Sequence, residues 1–469
     1  MIFNSVAFLA FALVFFALWP WMKARDVRRW SFITVASLLF YGWWDWRYIF
    51  LLLGTVVWDF AAALALVRFP RYRGFFLGLS LAGNLGVLGL FKYSHFLAHV
   101  LESGLAAAGW HVELAARIPA FVAVLPIGIS FYTFQSMSYT IDVYRGHLAP
   151  TRNLLHFLAA VSLFPHLVAG PIIRAADMLP QLRGAPPVTE QDRWEGLQLI
   201  ILGFFKKCVL ADNFAPVVAS AFGTGVTLST GEWWVVMLMF AFQIFCDFSG
   251  YSDIARGLAR WMGYRFVLNF DHPFAAASAR EFWTRWHISL STWFRDYLYL
   301  PLGGSRCGPV RAHLNLWITM LVSGLWHGAG LTFLAWGAWH AAALSVERIT
   351  GWPERLRRLP GGRLVGCLVL NVMVILGWVF FRAGSLESAG VILRRMLTWH
   401  GGEFRIPAIP LALLASAILW EVGYFVRGPD RAASSGPWAG LWASCALGAM
   451  AAGAVFLRGP GSVFIYFQF

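Results

Sequence analysis

Apolar positions along the chain come in long uninterrupted runs rather than in alternating faces. Stretches free of Asp, Glu, Lys and Arg lie at 1–22, 74–91, 118–141, 153–173, 364–381 and 432–457. Each approaches or exceeds the roughly 20 residues that a helix needs to cross a bilayer. The run 312–346 continues for 35 residues without such a charge. That is too long for one crossing and predicts two hydrophobic segments or one bent, partly re-entrant segment. Shorter or interrupted candidates lie at 30–44, 48–67, 196–211, 232–250 and 406–426. The pattern predicts an all-α polytopic membrane protein of about 11–13 membrane segments, several too short to cross alone. No internal repeat or intervening soluble domain is evident, so 1–469 reads as one transmembrane domain ending in an aromatic tail at 459–469.

Composition agrees with the pattern. Hydrophobic residues make up 59% and charged residues 13% of the chain. Soluble domains carry about 25% charged residues, so a water-facing surface of this size cannot be coated. The five cysteines are scattered, with no CxxC or Cys/His zinc spacing. Neither a disulfide framework nor a metal site is expected.

The net charge of +14 suggests nucleic acid only until its distribution is followed. Lys23, Arg25, Arg28 and Arg29 follow the first apolar stretch instead of preceding it. That order is the reverse of a secretory signal and predicts a retained first span with its N-terminus outside. Arg68, Arg71 and Arg73 mark a second cytoplasmic loop, and Arg355, Arg357, Arg358 and Arg363 a later one. Positive residues at 382–405 break the alternation, unless 386–399 lies in the interface. Arg427 and Arg431 place the start of the last long span inside and the tail outside. The charge is topogenic, and no nucleic-acid partner is expected.

Ionisable groups within an apolar run are costly and point to function first. His327 is the most isolated, in SGLWHGAG at 323–330. Its imidazole serves either as a base toward a hydroxyl or as a polar cross-link between helices. Position alone does not choose. A second cluster at 280–297 has charges at both ends and mixes aromatics with His287, Ser289, Ser291 and Thr292. It suits an interfacial helix, a segment dipping into the core, or an aromatic anchor. Asp247 and Asp253 read as capping or interhelical groups, and His156 and His166 as core histidines. The ending GPGSVFIYFQF (459–469) either forms an interfacial belt or tucks back, presenting Tyr466.

Several long strings together resemble the membrane-bound O-acyltransferase family. EFWTRWHISLSTWFRDYLYLPLGG (281–304) resembles its central signature, in the bacterial branch of alginate O-acetylation and teichoic-acid D-alanylation proteins. PIGISFYTFQSMSYTIDVYRG (126–146), FPHLVAGPIIR (164–174), GFFKKCVLADN (203–213) and GWVFFR (377–382) are similar to branch motifs. The resemblance implies a helical bundle around a funnel or tunnel in the bacterial cytoplasmic (inner) membrane. It implies His327 as the catalytic histidine and His287 as the second polar site residue. Trp286, Trp326 and Ser289 are then candidates to orient the acyl group, and Lys206, Lys207, Arg285 and Arg295 to hold donor phosphates. Basic loops this near a membrane are equally topogenic.

The resemblance also implies a donor, acetyl-CoA or another acyl thioester, with no bound cofactor. It implies a periplasmic SGNH-hydrolase-like partner that places the acyl group on a polysaccharide, and membrane lipid around the chain. Tyr466 in FIYFQF resembles a tyrosine proposed to relay the acyl group. D-alanyl transfer is the alternative within the family. A transporter or flippase is the alternative outside it, although such proteins are expected to show inverted repeats. A polyprenyl-phosphate-dependent glycosyltransferase has only Asp45 in its favour.

Overall fold

The computed structural model describes residues 1–465 apart from 169, 185–186, 224–226 and 428–438. The described secondary structure is helical throughout. Among the described residues five helices are long and apolar enough to cross a membrane: Tyr48–Arg68, Pro70–Ala107, Thr230–Met262, Gly362–Arg382 and Ala408–Val426. Val6–Met22 and Ala443–Phe456 are shorter apolar helices. The chain is an all-α, multi-span membrane protein.

Much of the remaining apolar sequence is divided into shorter pieces, for local reasons. The run at 153–173 breaks into Leu154–Ser162 and Phe164–Leu167, because Pro165 cannot continue the first helix. The run at 118–141 is interrupted before Ile129, where Gly128 takes a left-handed conformation (φ +76°) against the Leu167 carbonyl. The 35-residue run resolves into two helices, Pro309–His327 and Leu331–Thr350. Leu386–Leu397 is a short helix opened by a Ser385–Ser388 capping box.

Two compact units are formed. One comprises 1–196 with 255–267, the other 197–254 with 268–469. In the first, Arg29 and Trp30 both donate to the Leu182 carbonyl. Its buried histidines are tied at both ring nitrogens. His156 meets Thr151 and the Leu179 carbonyl, and His166 meets Gln135 and the Ala160 carbonyl. The second unit holds the described residues among the site candidates. Of the five spanning helices, Thr230–Met262 is the most enclosed, with 83% of its apolar window buried against at most 44% for the others.

Candidate functional site

His327 is the last residue of Pro309–His327, where Gly328 takes an extended conformation and ends the helix. The following helix returns immediately, and the two pack backbone to backbone. A Cβ on Gly324 would run into the Phe333 carbonyl, and one on Gly337 into the Met320 carbonyl. Small residues here set how closely the helices approach. His327 is buried, in edge-on contact with Trp326 (5.0 Å), Trp336 (5.0 Å) and Phe381 (5.3 Å).

His287 lies between two short helices, Ala279–Arg285 and Ile288–Phe294, with backbone φ +43°. A non-glycine residue is strained there and persists only where its surroundings hold it. Asn269 does the holding. Its backbone carbonyl accepts from Ile288 N–H (2.9 Å), and its side-chain oxygen from Ser289 Oγ (2.8 Å) and His287 Nδ1 (3.1 Å). Its side-chain oxygen also accepts from Ser289 N–H (3.3 Å), a group that can only donate and so fixes the amide orientation, and its amide nitrogen donates to Ser252 Oγ (3.1 Å). A neutral His287 therefore carries its hydrogen on Nδ1 and its lone pair on Nε2. The Trp326 ring lies between the two histidines, 6.0 Å from His287 and 5.0 Å from His327. Trp286 is buried against Phe245, Phe270 and Trp378.

The segment after Ala439–Phe456 runs into the interior. Gly459 N–H donates to the Cys208 carbonyl, and Asn213 to that of Leu457. Lys207, 1% exposed, pairs with Asp212 (2.9 Å) and Asp247 (2.8 Å). It also donates to the Ser462 carbonyl (3.0 Å) and hydroxyl (3.2 Å). Asp212 accepts from Ser462 N–H and Oγ, and Asp247 accepts from Ile465 N–H (2.7 Å). Phe464 is fully buried against Tyr251 (4.5 Å) and Phe248 (5.7 Å). Phe248 in turn meets His287 edge-on at 4.6 Å. Rings thus connect Phe464 to His327 through Phe248, His287 and Trp326. Tyr466 lies outside the described residues.

The four candidate cations sit differently. Lys207 is enclosed and committed to the segment 462–465 rather than facing outward. Lys206 pairs with Asp253 (2.7 Å) and lines an apolar cavity of about 210 Å³ with Phe245, Phe270 and Trp420. Arg285 is held by Glu281, Asp271 and Tyr424. Arg295 pairs with Asp296 and, at 59% exposure, is the most accessible of the four. Among the described residues no group of three or more His, Cys, Asp or Glu is placed to hold a metal ion.

Sequence reasoning missed Asn269, Asp212 and Ser462. An isolated Asn or Ser carries no pattern, and only the fold brings these residues to their partners. Asp247 and Asp253, expected as capping or interhelical groups, pair with Lys207 and Lys206 of a neighbouring helix, and Asp247 also accepts from Ile465 N–H.

Two buried histidines and the inward-running segment thus come together within one apolar helical unit. The chain belongs to the membrane-bound O-acyltransferase family, whose sequence model matches residues 122–388, and is an acyltransferase enzyme. It is similar to the probable alginate O-acetylase AlgI of Pseudomonas syringae pv. tomato, with 37% identity over 88% of this chain and 78% of the relative. It is 33% identical to the peptidoglycan O-acetyltransferase of Helicobacter pylori, over 79% of this chain and 74% of that protein. Similarity to the teichoic acid D-alanyltransferase of Streptococcus thermophilus is 32% over 43% of this chain and 52% of that protein.

Proposed function

We propose that the chain takes an acetyl group from acetyl-CoA on the cytoplasmic side and passes it outward for O-acetylation of an extracytoplasmic polysaccharide. His327 removes the proton of the attacking hydroxyl as its oxygen adds to the thioester carbonyl carbon. The tetrahedral intermediate then collapses, and the departing CoA thiolate takes that proton back from His327. His287, held by Asn269, packs against Trp326 beside His327 and shapes the site around the incoming hydroxyl. Arg295 holds donor phosphate.

The hydroxyl is that of Tyr466, which hands the acetyl group to an SGNH-hydrolase-like periplasmic partner. The observation that carries this reading is the inward course of 459–465. The Ile465 amide is bonded to Asp247, and Phe464 meets edge-on the Phe248 ring that in turn meets His287 edge-on. Tyr466 is one peptide unit further along. A phenol with a pKa near about 10 is a weak nucleophile unless a base assists it, which places the requirement on His327. The first span enters with its N-terminus outside, and the tail is likewise extracytoplasmic.

Acetylation is favoured over D-alanylation because likeness to the two acetylation proteins spans most of the chain, whereas likeness to the D-alanyltransferase covers 43%. The test compares His327→Ala with Tyr466→Phe, read by CoA release from acetyl-CoA and by mass spectrometry of surface polysaccharide. Both variants should abolish polysaccharide acetylation. Unchanged acetylation in Tyr466→Phe, with loss in His327→Ala, would reduce the tail to an anchor. A transporter would release no CoA at all.

A further inference from the structure

The acyl-transfer reading needs hydrogen-bond donors for the carbonyl oxygen, which becomes an oxyanion when the hydroxyl adds. The residues nearest in sequence do not supply them. His287 has its N–H committed to Asn269, and Ser289 gives its hydroxyl hydrogen to the same oxygen.

A different set of donors is reached through Trp336, which meets His327 edge-on at 5.0 Å. His340 is 1% exposed and enclosed by rings: Trp336 at 4.8 Å, Trp283 at 5.1 Å and Phe282 at 6.3 Å. Among the described residues neither of its ring nitrogens has a hydrogen-bond partner, nor have the indole nitrogens of Trp336 and Trp378. The Trp336 ring stands between the two histidines, 5.0 Å from His327 and 4.8 Å from His340. Trp378 adjoins Trp336 at 6.0 Å and Phe381 at 5.2 Å. A neutral imidazole keeps one N–H whichever tautomer it adopts. With the Trp283 indole N–H, which is equally unpartnered among the described residues and packs against both His340 and Trp336, four buried donors lack acceptors in one cluster, and such groups are nearly always bonded in a finished protein core. Their acceptor is expected to arrive with the substrate.

We infer that His340 and Trp336, supported by Trp378, form the site that binds the acyl carbonyl oxygen during transfer at His327. This inference rests on the acyl-transfer reading. As the hydroxyl oxygen bonds to the carbonyl carbon, the π pair moves onto the carbonyl oxygen, which accepts the His340 and Trp336 N–H groups. His327 holds the hydroxyl proton. When the pair returns, the carbon–sulfur bond breaks, and the thiolate leaves with that proton. The contacts strengthen as charge develops, so they act on turnover more than on binding.

The experiment uses the purified full chain in lipid nanodiscs with acetyl-CoA, following CoA release, with His327→Ala as the blank. His340→Phe keeps a ring and removes both nitrogens. Its kcat should fall about 10²–10³-fold, the loss typical of one oxyanion donor, while KM changes little. Its melting temperature should not drop, because an apolar ring replaces an unbonded polar one. His340→Gln, which retains an N–H, should recover part of the rate. Trp336→Phe should lose kcat in the same manner, and it decides the matter if His340→Phe does not fold. Wild-type kcat in His340→Phe, or a loss confined to KM, overturns the inference. If the unaltered chain releases no CoA above the blank, the acyl-transfer reading itself fails.

Discussion

Asp247→Asn removes one charge from the buried cluster that holds residues 462–465 while keeping the size of the side chain. In the wild type Lys207 is shared between Asp212 and Asp247 at 2.9 and 2.8 Å, with all three side chains at most 2% exposed. Removing one partner of a buried ion pair costs about 3–5 kcal/mol. Here Lys207 keeps Asp212, and an Asn oxygen can still accept from Ile465 N–H, so the lower end, about 3 kcal/mol, applies. At about 1.4 kcal/mol per decade that is roughly a 10²-fold rise in the fraction of molecules with the segment detached. The assay is amide hydrogen exchange at 459–465 together with protease access to the same stretch. Protection of Ile465 should fall about 10²-fold, with helices such as Pro309–His327 unaffected. Lys207→Met should be more severe, since it leaves Asp212 and Asp247 facing each other without a cation. Unchanged protection in Asp247→Asn would refute the reasoning and leave the ion cluster a local feature of the helices alone.

Four further outcomes follow from the geometry. Asn269→Ala removes the acceptor that fixes the His287 tautomer, so kcat for CoA release should fall about tenfold or more, the usual effect of losing a partner that orients a functional imidazole. Gly337→Ala drives a methyl group into the Met320 carbonyl and should lower thermal stability by about 1–3 kcal/mol; a neutral result would show that the helix pair can part freely. His166→Phe strands the buried Gln135 amide and Ala160 carbonyl, a loss of about 1–3 kcal/mol seen in melting experiments. The Asp192 carboxyl is held below its usual range by its hydrogen bonds to Thr189 and by Arg260. Its contribution is therefore present above the unfolded carboxylate range and lost as pH falls through the folded value. A stability–pH curve should be flatter in Asp192→Asn on the acid side, and identical curves would exclude the linkage.

The membrane class, the helical fold and the break in the long uncharged run were legible because hydrophobic periodicity and glycine placement act locally. The gap between Pro309–His327 and Leu331–Thr350 falls at Gly328–Ala329–Gly330, where two glycines in three residues disfavour a helix. Charge patterning was less informative about individual residues. Lys206 and Lys207 are neighbours in a basic loop motif, yet one lines a cavity beside Asp253 and the other is enclosed between two carboxylates. Adjacent residues on a helix face different neighbours, and sequence does not say which neighbours those are. His287 shows the same limit from the other side. Its left-handed backbone depends on Asn269, 18 positions away, and no local pattern announces that.

Three histidines in apolar sequence, His156, His166 and His340, look alike along the chain, and all three are buried. Their hydrogen bonds separate them. His156 and His166 each use both ring nitrogens, so each has already met the cost of burying an imidazole with partners from its own unit. Among the described residues His340 has partners for neither nitrogen. In water its hydrogen bonds would be supplied freely, and in the folded chain they are missing on the far side of Trp336 from His327. A protein core tolerates such a deficit where a ligand cancels it. The same residue type in the same kind of run is therefore bonded into the fold in one unit and left unbonded among rings in the other, and the difference is set by what packs against it.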